Sequence, residues 1–211
     1  MNEFRFYFSF GWDHIIDTGA LDHLFFIAAL AAIYMLKDWK QVLILVTAFT
    51  VGHAITLLLS AREIIAVNES WVEFLIPCTI VVTAVSNLFQ RTFTKKTIRV
   101  NYALALFFGL IHGLAFASQL KAILTDDENF ITAWLGFSVG LEIGQILVVL
   151  VILLLAQLVV GLLRLNRRIW VWIVSLPVAI FSLKMAIERF PEEKQKRRAD
   201  TDLYYKYPEQ L

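Results

Sequence analysis

Four histidines, His14, His23, His53 and His112, carry the side chains in this sequence best suited to hold a transition-metal ion, and each stands in or at the edge of an apolar stretch. Carboxylates keep them company: Asp13, Asp17 and Asp22 around the first two, then Glu73 and Glu142 further along. Imidazole with carboxylate suits divalent nickel, cobalt, zinc, copper or iron. The single cysteine, Cys78, excludes a multi-cysteine site and an internal disulfide framework. An ionised acid placed mid-membrane costs roughly 2.5–3.5 kcal/mol even on lenient insertion scales. A chain keeps several only where they pair, bind an ion or line a water-filled cavity. For any one of these histidines the plain alternative is a hydrogen-bonded packing residue, and His14, at the rim beside two acids, could equally be solvated.

The elements that must position these groups follow from composition. Of 211 residues, 59% are hydrophobic and 18% charged, with 17 phenylalanines. Soluble domains run nearer half apolar and a quarter charged, so lipid is the natural solvent for the surplus. A net charge of +1 lacks the basic excess of a nucleic-acid binder. Apolar windows of about 20 residues predict an all-α bundle of six transmembrane helices, at 16–36, 41–61, 71–90, 101–122, 131–163 and 169–189. These form one domain, 1–190, followed by a solvated charged tail, 191–211. The N-terminus departs from a secretory signal pattern. It is dense in aromatics (Phe4, Phe6, Tyr7, Phe8, Phe10, Trp12), which predicts a segment lying in the headgroup region.

The connections after spans one, three and five hold the basic residues Lys37 and Lys40, Arg91 to Arg99, and Arg164 to Arg168, whereas those after spans two and four are acidic. The positive-inside rule then places the N-terminus outside; the cations of the tail pull the other way. With that orientation and a rise of about 1.5 Å per residue, the polar groups of five helices fall in the outer half of one membrane slab. His23 lies ~10 Å deep, His53 ~12 Å, His112 ~15 Å and Glu142 ~16 Å, with Glu73 near the rim. Helical phase agrees. Gly52, Thr56 and Ser60 form a stripe beside His53, and Gln145 shares the face of Glu142. Gly136, Gly140 and Gly144 occupy the opposite face of that helix, a doubled pattern that admits a neighbouring backbone. Glu73, Pro77, Ala84 and Asn87 follow one face inward, either a route to the cytoplasm or a packing seam.

Five stretches, GWDHIIDTGALDHLFF (Gly11 to Phe26), TAFTVGHAITL (Thr47 to Leu57), VEFLIP (Val72 to Pro77), FGLIHGLAFASQL (Phe108 to Leu120) and GFSVGLEIGQ (Gly136 to Gln145), together resemble the HupE/UreJ family of bacterial membrane proteins. The resemblance implies a secondary permease for nickel or cobalt in the bacterial inner membrane. It matches His14, Asp22 and His23 to the family's first motif, Gly52 and His53 to a second, and Glu73, His112 and Glu142 to single positions on later helices. Seven residues separate His14 from Asp22, two more than in the motif's familiar form. On one continuous helix that adds about half a turn.

The expected function is thus permeation of a divalent metal ion through a site of His14, Asp22, His23, His53, His112 and Glu142, with Asp13, Asp17, Thr56, Glu73, Asn87 and Gln145 as supporting or pathway residues. The alternative is an intramembrane metal-dependent hydrolase using the same cluster, although no HExxH pair is present. Haem between His53 and His112 is a remoter third reading. The expected partners are lipid and a metal ion, with a homo-oligomer as a further option.

Overall fold

The computed structural model describes residues 3–17, 21–65, 67–90, 95–123 and 129–192, and among them the chain is helical throughout, without strands. The elements are α1 (Glu3–Ile16), α2 (Leu21–Ala31), a short 3-10 turn (Leu36–Asp38), α3 (Trp39–Ala61), α4 (Glu69–Phe89), α5 (Lys95–Ile123), α6 (Phe130–Ala156, prolonged by a π-helical turn over Gln157–Leu162) and α7 (Arg167–Glu188). Three of the starts are fixed by asparagine caps. Asn68, Asn129 and Asn166 accept from the backbone N–H of Ser70, Ile131 and Arg168 at 3.0, 2.9 and 2.8 Å, which satisfies donors that a helix start otherwise leaves orphaned.

The helices pack as three tight pairs, α3 with α5, α1 with α6 and α4 with α7, and α2 runs between them against α4, α6 and α7. That position explains its composition: Phe26, Ile27, Ala29, Leu30 and Ala31 are all buried. Small residues set the closest approaches. A Cβ on Gly52 would strike the Leu106 carbonyl oxygen, and one on Gly109 the Phe49 carbonyl oxygen, so α3 and α5 touch backbone to backbone. Thr56 locks the same seam by donating to the Leu110 carbonyl oxygen at 2.8 Å. On the outer side α6 leaves Leu135, Val139, Ile143, Leu147, Leu150 and Leu154 exposed, a surface suited to lipid rather than water.

Among the described residues, four helices are long and apolar enough to cross a membrane: Leu36–Ala61, Glu69–Phe89, Phe130–Leu162 and Arg167–Glu188. These correspond to the expected second, third, fifth and sixth spans. The first expected span departs from expectation. Instead of one span over 16–36, the chain turns by 69° between α1 and α2. At 11 residues α2 reaches only ~16 Å, about half a bilayer core; the two together make a fifth candidate if counted as one broken span. The expected fourth span, 101–122, lies within α5, a continuous helix of 29 residues. The N-terminal aromatics expected in the headgroup region form a helix. They belong to α1, which lies against α6 with Gly140 directly beneath the Phe8 carbonyl oxygen. The expected doubled glycine pattern therefore does admit a backbone, and the backbone is that of α1. Residues 193–211, read as a solvated tail, and the connections at 91–94 and 124–128 lie outside the described residues.

Candidate metal centre

Each histidine is delivered by a different helix. His14 comes from the last turn of α1, which the glycine face of α6 draws inward; His23 from the first turn of α2; His53 from mid-α3; His112 from α5, one turn beyond Gly109. Because α3 and α5 meet through Gly52 and Gly109, the rings of His53 and His112 are brought to a common level. His23 is the hub. Its ring centroid lies 4.5 Å from that of His14, 5.2 Å from that of His112 and 6.5 Å from that of His53.

One ring nitrogen from each of His14, His23 and His53 falls within 4.8 Å of the others. With metal–nitrogen bonds of about 2.0–2.1 Å, three ligands spread evenly around one ion stand ~3.6 Å apart, so about an ångström of side-chain movement closes the set. His23, His53 and His112 are buried, at 7%, 1% and 2% exposure. The Nε2 atoms of all four, and Nδ1 of His23 as well, are buried without a hydrogen-bond partner among the described residues. Clustered, solvent-shielded nitrogens without protein partners are costly unless something else satisfies them. His112 shows which atom is ready. Its Nδ1 lies 2.9 Å from the Phe108 carbonyl oxygen, which can only accept, so the proton resides on Nδ1 and Nε2 keeps its lone pair. Aromatic rings wall the cluster: Phe116 and Phe137 stack at 4.5 Å, with His14 against Phe116 at 4.2 Å and Phe26 against His112 at 5.6 Å.

The cluster opens into a cavity of about 560 Å³ whose lining includes His14, His23 and His112 together with Asp17, Asp22, Glu73 and Arg189. Asp22 accepts from Arg189, Oδ2 to Nη1, at 2.7 Å. Asp13 is exposed at the edge, accepting from Ser9 at 3.5 Å. The remaining expected residues sit elsewhere. Glu142 accepts from Thr47 at 2.6 Å, and Thr47 precedes His53 by ~9 Å of helix axis. Gln145 accepts from Thr50 at 3.1 Å. Thr56 is committed to the α3–α5 seam. Asn87 donates to the Ala29 carbonyl oxygen at 2.6 Å and lines two further cavities, one of about 20 Å³ shared with Phe108 and one of about 570 Å³ shared with Arg167 and Arg168.

A family model described as HupE / UreJ protein matches residues 1–189, nearly the whole chain. The chain belongs to the HupE/UreJ family. No curated protein and no solved structure gives a significant match. Membership makes this a membrane protein of a family concerned with nickel and cobalt, one of transport and accessory proteins rather than of enzymes. In this HupE/UreJ chain the sequence reading passed over Arg189 and the Phe116–Phe137 stack. Arg189 had one signal: a cation at the end of the last span, on the side where the loop charges put the fewest. Phe116 had one as well, since it shares a helical face with His112 four residues before it, whereas Phe137, one phenylalanine among 17, had none.

Proposed function

We propose that this HupE/UreJ protein is a permease for a divalent transition-metal ion, nickel or cobalt being the family's cargo, and that the ion is held during passage by His14, His23 and His53. The observation that carries this reading is the convergence of three imidazole nitrogens from three helices within 4.8 Å, each ring having a buried nitrogen that no protein group satisfies. Neutral imidazole is a good ligand for nickel, cobalt, zinc and copper. Three such ligands with nearby acids bind without the permanence of a thiolate cage, as a site that must release its ion requires. Asp17, Asp22 and Glu73 would gather cations in the open cavity, and His112 would pass the ion between cavity and cluster. Beyond the Phe26–Phe108 contact, 5.7 Å between centroids, the polar cavity at Asn87 offers the continuation. In a bacterial inner membrane with the N-terminus outside, as the loop charges favour, the histidine cavity faces outward and the Asn87 side inward.

The test is metal accumulation in cells. His23→Ala and His53→Ala are expected to abolish uptake of nickel and cobalt while membrane insertion, checked by blotting, is retained. Unchanged uptake in both variants would reject the reading.

A further inference from the structure

A guanidinium is an unexpected wall for a cavity that admits cations. Arg189, just beyond α7, reaches across to Asp22 on the first turn of α2 and holds its Oδ2 at 2.7 Å. Asp22 adjoins His23, the hub of the cluster, and both residues of the pair line the same cavity as His14, His23 and His112. The pairing is incomplete. Asp22 Oδ1 is buried with no hydrogen-bond partner, so the carboxylate keeps an unused acceptor oxygen beside the imidazoles. The pair is also not sealed in, since the Arg189 side chain retains 33% of its exposure and that of Asp22 15%. A long side chain with this freedom can leave without unpacking a helix. Asp17 and Glu73 line the same cavity, so an entering cation passes further carboxylates on its way to the cluster.

From these features we infer that Arg189 is a built-in competitor of the transported ion and determines how readily it is released. The guanidinium of Arg189 stands on the carboxylate that would otherwise reach toward the ion. An arriving divalent ion, held by His23 and its neighbours, draws Asp22 toward itself and repels Arg189, which swings into the open cavity. When the ion moves on, Arg189 returns to Asp22 and opposes rebinding. The acid beside His23 then contributes to capture without making it irreversible. This rests on the permease reading and adds to it the residue that sets affinity.

A simple tie between α7 and α2 would behave in the opposite way. Removing it would loosen the fold and leave metal affinity equal or lower, whereas removing a competitor tightens binding. The experiment uses the full-length protein purified in detergent, with nickel(II) alone as the probe. Affinity is measured by calorimetry and release by stopped-flow mixing with a chelator. Arg189→Gln, and Arg189→Met, which keeps the apolar stem, are expected to bind nickel at least tenfold more tightly and to release it correspondingly more slowly. Arg189→Lys, which keeps the charge, should stay within threefold of the wild type. In an Asp22→Asn background the effect of Arg189→Gln should shrink below threefold, because the competition is for that carboxylate. Equal or weaker binding by folded Arg189→Gln and Arg189→Met, or an undiminished effect in the Asp22→Asn background, would overturn the inference. A wild-type protein that binds no nickel fails differently: it removes the permease reading itself.

Discussion

Phe108 fixes His112 with one backbone contact, 2.9 Å from its carbonyl oxygen to Nδ1, and that bond decides what the ring can do. A buried imidazole so oriented presents a lone pair instead of a donor, the arrangement that metal sites use to fix a ligand's tautomer. His112 touches the hub His23 but stands outside the three-nitrogen set. We therefore expect His112→Ala to weaken nickel binding by about 10–100-fold, the range typical of groups that support a metal site from its edge. His23→Ala should eliminate binding altogether, and titration of the two purified variants side by side distinguishes the outcomes. At this scale the histidines were legible because ionisable residues are rare in apolar stretches. Arg189 was not, because its partner lies 167 residues away and nothing local marks the pair. Glu142 illustrates the other limit. Axial depth alone put it level with His112, but depth carries no information about which neighbour a carboxylate meets, and here it meets Thr47.

Between elements, the decisive residues are the ones without side chains. Gly109 lies so close to the Phe49 carbonyl oxygen that any Cβ would force α3 and α5 apart. Overpacking of this kind costs about 1–3 kcal/mol, more when backbone rather than a flexible side chain obstructs. Gly109→Leu should therefore lower the thermal midpoint of the purified protein. Since His53 and His112 ride on the two helices being separated, it should weaken nickel binding too. A variant with normal binding and a normal midpoint would show that the seam does not position the site. The glycine spacing was readable in the sequence as a surface prepared for close approach, yet not which helix would use it. The long apolar runs of α3, α4, α6 and α7 were readable for the same reason that they cross lipid, namely length. The first expected span misled because apolar composition continues past the end of α2, through Ala32, Ile33, Tyr34 and Met35, and hydropathy has no term for direction.

For the molecule as a whole, an ion bound to His14, His23 and His53 would join α1, α2 and α3, none of which is tightly paired with another of the three. Binding to the folded state alone stabilises it by about 2.7 kcal/mol at a ligand concentration a hundredfold above Kd. Nickel should accordingly raise the thermal midpoint of the wild type, a chelator should reverse the rise, and His23→Ala should show neither response. The two histidines of the first motif belong to separate packing units. His14 is carried by α1, docked on α6, while His23 is carried by α2 among α4, α6 and α7. Since the chain changes direction by 69° between them, the two histidines do not ride on one continuous helix, and the number of intervening residues imposes no fixed helical rotation between them. Insertions there are geometrically tolerable, so a search pattern that demands a fixed interval before the Asp-His pair would discard chains in which the same ligands still meet.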